Sequence, residues 1–156
     1  MRTRTSWREK LERVQEPKLT PVPPKMQKRF GTGTMLIPKP LDVDAMIRRV
    51  PARKLTTLTR LREALAQQAG ANVTCPLTAG IFLRIAAETA EEDRERGAKR
   101  VTPYWRVVRD DGALIEKFPG GVTEQAKRLQ AEGHQIVVGR VTRVRMGDEV
   151  LAELQR

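Results

Sequence analysis

Apolar residues recur at helical spacing in five stretches of this 156-residue chain, and strand-like runs are short and confined to the regions between them. The first stretch places Trp7, Leu11 and Val14 at i, i+4 and i+7 within residues 1–16. That face is narrow and the other positions are charged, so a helix here is expected to dock on something rather than stand alone. Pro17, Pro21, Pro23, Pro24, Pro38 and Pro40 then predict an extended, irregular course over 17–40, with one short strand near Met35 to Ile37. Gly31 and Gly33 read as a turn. The third glycine of a dinucleotide fingerprint is missing, since Leu36 stands there, and no helix can follow into Pro38.

From Leu41 the texture becomes regular. Asp42 or Asp44 is placed to cap a short helix through Val43, Met46 and Ile47 that ends before Pro51. Thr56 or Thr57 opens a second helix, with Leu58, Leu61 and Leu65 on one face and Gly70 as its stop. A link through Asn72 leads to Thr74-Cys75-Pro76 and a third helix over about 76–96, whose apolar face reads as Ile81, Phe82, Ile85 and Ala86. Two helices joined by a short turn read as a helix-turn-helix. A turn-rich block follows over 101–121, with a hairpin-type turn at Asp111-Gly112 and a tight one at Pro119-Gly120-Gly121. Thr123 is placed to cap a last helix carrying Ala126 and Leu129, and strands are expected over 136–138 and 141–144, with Arg143 and Arg145 on a basic edge.

Charge changes what this pattern means. Lys and Arg number 30 against 19 Asp and Glu, a net of +11, and the excess is uneven: residues 1–60 hold 15 basic and 5 acidic side chains, residues 61–156 hold 15 and 14. A basic arm on a nearly neutral body is the footprint of a nucleic-acid or other polyanion partner, and equally of a solubilising tail. One Cys and one His exclude an internal disulfide and a Cys/His zinc site, so neither metal nor cofactor is expected. No apolar run approaches the ~20 residues of a membrane span, and Arg2, Arg4, Arg8 and Lys10 lead into no apolar signal-peptide core.

Four pieces then stand in a meaningful order. They are Leu77-Thr78-Ala79-Gly80-Ile81-Phe82-Leu83-Arg84, Pro103-Tyr104-Trp105-Arg106-Val107-Val108, Phe118-Pro119-Gly120-Gly121 and Glu132-Gly133. Over about 50–136 this order resembles the DNA-binding domain of the alkylguanine-DNA alkyltransferases, and more closely their cysteine-free alkyltransferase-like relatives. The family's active-site run is Pro-Cys-His-Arg-Val-Val, its helix reads Arg-Ala-Val-Gly-Gly-Ala-Met-Arg, and its pocket loop reads Tyr-Ser-Gly-Gly. An acidic insertion at 91–97 is a departure.

The resemblance implies an α/β, mostly α, winged helix-turn-helix-like domain over 41–145, preceded by a basic Pro-rich arm (1–40) and followed by a C-terminal tail (146–156). It also implies lost chemistry. Tyr104 replaces the alkyl-accepting Cys and Trp105 the proton-relaying His, leaving Glu132 nothing to orient; a phenol of pKa ~10 without a base is a poor nucleophile. Leu77 stands where the family's Arg finger fills the hole left by a flipped nucleotide, and Leu58 where a Tyr rotates the phosphate. DNA contacts are expected at Leu77, Thr78, Gly80, Arg84 and Arg106, and a base pocket at Tyr104, Trp105, Phe118, Pro119 and Gly120. An alternative for the aromatics is that they fill the old pocket as core. Cys75, at the start of the third helix where the dipole lowers a thiol pKa, is either a relocated alkyl acceptor or a structural residue; His134 reads as a solvated cap. The expected protein is therefore a non-catalytic binder of double-stranded DNA with damaged or modified bases, cytoplasmic and nucleoid-associated, working with DNA-repair proteins and without a membrane. The alternatives are a stoichiometric alkyl acceptor and a general nucleic-acid scaffold.

Overall fold

The computed structural model describes residues 5–13 and 15–155; Val14, Arg2 and Arg4 lie outside the described residues. Three helices hold the main core. Helix α3 (Pro40–Arg48) starts at Pro40 with Lys39 as its N-cap, one turn earlier than an Asp cap would place it, because proline is preorganised for a first helical turn. Asp44 is instead buried, accepting from the Thr102 hydroxyl at 2.6 Å and from Arg48 at 3.0 Å. Helix α4 (Leu58–Ala69) begins where the Thr57 hydroxyl accepts the Arg60 N–H at 3.2 Å and ends at Gly70 in the left-handed region (φ 71°), as its sequence predicts. Helix α5 (Pro76–Glu95) buries Ala79, Phe82, Leu83, Ala86, Ala87 and Ala90 against Val43, Met46, Ile47, Leu61 and Leu65. Ile81, expected on that face, points outward at 51% exposure, and Leu83 takes the inner position.

The prolines of 17–40 mark element ends rather than dissolving the segment. Strand β1 (Lys18–Pro21) runs antiparallel to β2 (Thr34–Ile37), with Pro21 at the strand end opposite Thr34, and β2 pairs in parallel with β4 (Val73–Thr74). Between β1 and β2, Pro23 and Pro24 form the N-cap and first residue of α2 (Pro24–Phe30), where a missing N–H costs nothing. The return through Gly33 (φ 112°) brings the Asn72 side chain onto the Thr34 N–H at 2.8 Å; a Cβ at Gly33 would sit 2.3 Å from that same oxygen. The basic arm is thus built into the sheet from residue 18 onward.

A second, smaller cluster gathers Leu55, Val108, Leu114, Leu129 and Val144 around the parallel pair β3 (Thr56–Thr57) and β5 (Val107–Val108). Helix α6 (Gly121–Ala131) is N-capped by Gly120 (φ 78°), not Thr123, and its buried Gln125 ties the loop below it. The Gln125 amide accepts from the Ile115 N–H at 2.8 Å and donates to the Trp105 and Val107 carbonyls at 3.1 and 2.9 Å. The hairpin β6 (Ile136–Val137) and β7 (Arg143–Val144) follows. Beyond the hairpin, Leu151 bridges Leu55 in parallel, and Ala152 and Leu154 enter the main core. Finally α1 (Trp7–Leu11) lies on α5, confirming that its narrow face docks within the molecule.

Candidate nucleic-acid interface

Pro103 leads into a single 3-10 turn (Tyr104–Arg106) that drives Tyr104 into the core at 1% exposure. Its ring meets Trp105 edge-on (centroids 5.4 Å apart, planes at 80°) and Phe118 likewise (5.1 Å, 74°). The phenol donates to Glu91 Oε2 at 3.2 Å, and Arg128 holds the other carboxylate oxygen at 2.7 Å while its guanidinium lies 4.8 Å over the Trp105 ring. Burial, reinforced by the Glu91 charge, pushes the Tyr104 phenol well above its ordinary range. Trp105 is half-buried against both clusters, its indole N–H enclosed without a partner among the described residues. Tyr104 is thus packed as core, its phenol engaged by Glu91, and Trp105 packs half-buried beside it.

Arg106, expected at a DNA contact, is engaged within the molecule. Its guanidinium holds Glu132 at 2.6 Å through Nη2 and 3.0 Å through Nε, and donates to the Val50 carbonyl at 2.8 Å. Glu132, expected to have nothing to orient, holds an arginine. Pro119 and Gly120 lead into α6; Gly120 is its N-cap, where a Cβ would come within 2.6 Å of the Glu124 Cβ.

A cavity of about 610 Å³ opens between the start of α4, the first three turns of α5, α1 and the 109–118 loop. Its size falls within the ~300–1,000 Å³ of small-molecule sites. Leu58, Leu77, Ile81, Ile115 and Phe118 supply apolar walls, and Lys10, Arg84, Arg109 and Lys117 supply charge; no acidic side chain is among its lining residues. Gly80 faces it with nothing within 4 Å of its missing Cβ, and Leu77 projects from the helix at 73% exposure. Thr78 turns its hydroxyl to the Cys75 sulfur at 3.3 Å. The loop is fixed to α4 by Asp110, which accepts from the Thr59 N–H at 3.1 Å and its hydroxyl at 2.5 Å. Burial works against the ionised Asp110, but these hydrogen bonds win and hold its carboxyl below the usual range. Of the expected residues, then, Leu77, Gly80, Arg84 and Phe118 meet at one cavity.

Sequence reasoning missed Trp7, Lys10, Arg109 and Lys117. Trp7 arrives because Glu92 accepts the backbone N–H groups of Trp7 (3.2 Å) and Arg8 (3.0 Å), while Asp93 pairs with the Arg8 side chain. The available signal was the match between a helix start near residue 6 and the unexplained acidic run on α5. Cys75 is the N-cap of α5, its N–H bonded to the Leu36 carbonyl at 2.8 Å, and it does not line the cavity. His134 is no solvated cap: it is 8% exposed, and burial lowers its pKa.

Among the described residues there is no group of three or more His, Cys, Asp or Glu placed to hold a metal ion, and no helix long and apolar enough to cross a membrane. No family model matches the chain. No curated protein matches it either. Two solved structures share its fold. One is S. pombe Atl1 in complex with damaged DNA containing O6-carboxymethylguanine: 17% identity, TM-score 0.50, covering 73% of this chain and 94% of that one. The other is S. pombe ATL in complex with DNA, at 15% identity, TM-score 0.50 and the same 73% and 94% coverage. The architecture of this chain, a mixed α/β arrangement of helices with small sheets, is the fold of those two alkyltransferase-like structures.

Proposed function

We propose that this protein binds double-stranded DNA without altering it and holds a damaged or modified base in the cavity beside α5. The observation that carries the reading is the cavity itself, about 610 Å³ with apolar walls and four cationic lining residues, of which Arg109 also pairs with Glu116 at 3.9 Å. A duplex backbone seeks such a rim, and a base displaced from its stack seeks such walls. An already weakened base costs least to displace, so discrimination comes from lesion destabilisation as well as fit. Arg84, exposed on α5, is positioned for phosphate, and Leu77 for the step left behind, as apolar wedges do elsewhere. The helix-turn-helix of α4 and α5 supplies the docking element. The same reading implies a cytoplasmic, nucleoid-associated protein that hands the marked site to DNA-repair proteins.

Among the described lining residues there is no Cys, Ser, Thr, Tyr or His. The Tyr104 phenol is held protonated beside Glu91, and Cys75 lies outside the lining, which supports a binder rather than an alkyl acceptor. The test is competition binding of O6-carboxymethylguanine duplex against intact duplex across a salt series, with mass spectrometry of the recovered protein. Preference for the modified duplex with unchanged protein mass is expected. Equal affinity for both duplexes would make the protein a general nucleic-acid scaffold, and a mass gain on Cys75 that Cys75→Ala abolishes would make it an acceptor.

A further inference from the structure

We infer that Trp7 is a base-contacting wall of this cavity, carried there by α1 and positioned by Glu92 and Asp93; the inference rests on the DNA-binding reading above. Trp7 and Phe118 are the aromatic residues that line the cavity. Phe118 is 4% exposed and already engaged edge-on with Tyr104, so the indole of Trp7, half-buried, is the ring with surface left to offer. Its surroundings suit a nucleotide: Lys10 Nζ lies 4.2 Å from the ring centroid and the Arg84 guanidinium 5.8 Å. Both cations line the same cavity and neither is ion-paired with a carboxylate among the described residues. A base stacked near the indole thus leaves two positive charges within reach of its own phosphate.

The placement of α1 is fixed by specific contacts. Leu11 is 1% exposed, the Ser6 hydroxyl accepts the Glu9 N–H at 3.1 Å, and both Glu92 oxygens are taken by consecutive backbone N–H groups. Those N–H groups are ones a helix start leaves without internal partners. Glu92 is therefore a positioning residue, acting on the ligand only through Trp7.

The experiment measures affinity of the full chain for O6-carboxymethylguanine duplex and for intact duplex, in the native protein and in Trp7→Ala, Trp7→Phe and Glu92→Gln. Trp7→Ala is expected to weaken modified-duplex binding roughly 5- to 100-fold, the range that base–aromatic stacking carries, with a much smaller effect on intact duplex. Trp7→Phe recovers part of the loss, and Glu92→Gln lowers the preference in the native background but not in Trp7→Ala. Because the chain has 2 Trp, Trp105→Phe leaves Trp7 as the sole indole, and its emission should be quenched by modified duplex. That readout does not depend on Trp7→Ala folding. A native protein that prefers modified duplex while Trp7→Ala keeps the same preference, or while Trp7 emission is unmoved, overturns this inference alone. A native protein without any preference overturns the function and this inference with it.

Discussion

Replacing Tyr104 by Phe removes one oxygen from the position where the family resemblance places its nucleophile, and it separates a core ring from a pocket floor. The phenol donates to Glu91 at 3.2 Å, a charge-assisted but long hydrogen bond. Bonds to charged groups are worth ~1.5–3 kcal/mol, and Glu91 keeps Arg128 at 2.7 Å, so no carboxylate is orphaned. Tyr104→Phe should therefore destabilise by about 1–1.5 kcal/mol, lowering Tm by roughly 2–6 °C for a domain of this length. Tyr104→Ala, which empties a site 1% exposed, should cost about 3–5 kcal/mol. Neither change should reduce the preference of the folded protein for modified duplex. The chain contains a single tyrosine, so tyrosinate absorbance reports Tyr104 alone. Burial and Glu91 raise the folded-state pKa above the unfolded value of about 10. Stability from this group is thus fully present below pH ~10 and declines as pH rises above it, because the unfolded chain loses its proton first. The folded protein should show no tyrosinate step near pH 10, and the signal should appear only with unfolding. A reversible step near pH 10 in the folded protein, or lost preference in a Tyr104→Phe protein of native stability, would refute the buried-ring account.

The lone histidine gives the opposite pH dependence: burial holds His134 below about 6.5, with Arg106 adding to it against Glu132, so stability is full above that value and falls as pH drops below it. His134→Gln should flatten urea midpoints measured between pH 7 and 5, and an imidazole proton signal titrating at or above 6.5 would contradict the assignment. Arg106→Met leaves Glu132, 16% exposed, without its partner and should cost about 3–5 kcal/mol in denaturant unfolding, while the salt dependence of DNA binding stays native. The rim behaves otherwise: Arg84→Ala or Lys117→Ala should reduce the slope of log affinity against log salt by ~0.9 each where the side chain neutralises a phosphate, with Tm almost unmoved.

Much of the fold is legible in the sequence because local signals agree with tertiary ones. Thr57, Gly70 and Pro76 bound α4 and α5 as their capping chemistry predicts, and Gly112 (φ 85°) turns the chain after Val108. The failures share a cause. β1 and α2 were obscured because six prolines read as breakers, whereas Pro21, Pro24 and Pro40 occupy the strand-end and first-turn positions where proline is tolerated. Ile81 and Leu83 exchanged roles because both fit an apolar stripe, and only the packing of α3 against α5 decides which faces inward. At the site, the partners of Tyr104 and Arg106 lie beyond local reading, since Glu91 and Glu132 are 13 and 26 residues away in sequence. Local reading recovers a helix; it cannot see a hydrogen bond closed by the fold.

The acidic run at the end of α5 shows how such distant contacts divide the labour. Glu91 faces the core, holding Tyr104 and Arg128, while Glu92 and Asp93 face α1, holding the Trp7 and Arg8 N–H groups and the Arg8 side chain. Adjacent residues on a helix point about 100° apart, so one short acidic segment can engage the Tyr104 phenol on one side and bring the Trp7 ring to the cavity on the other. The two roles are separable by neutralising each carboxylate. Glu91→Gln removes a charge that raises the Tyr104 pKa and weakens the hold on Arg128, so it should lower stability and move the tyrosinate transition to lower pH, with modified-duplex preference retained. Glu92→Gln should leave that transition in place and reduce the preference. If Glu92→Gln shifted the tyrosinate transition as far as Glu91→Gln does, α1 would be part of the core's support, and the division between engaging Tyr104 and bringing Trp7 to the cavity would be wrong.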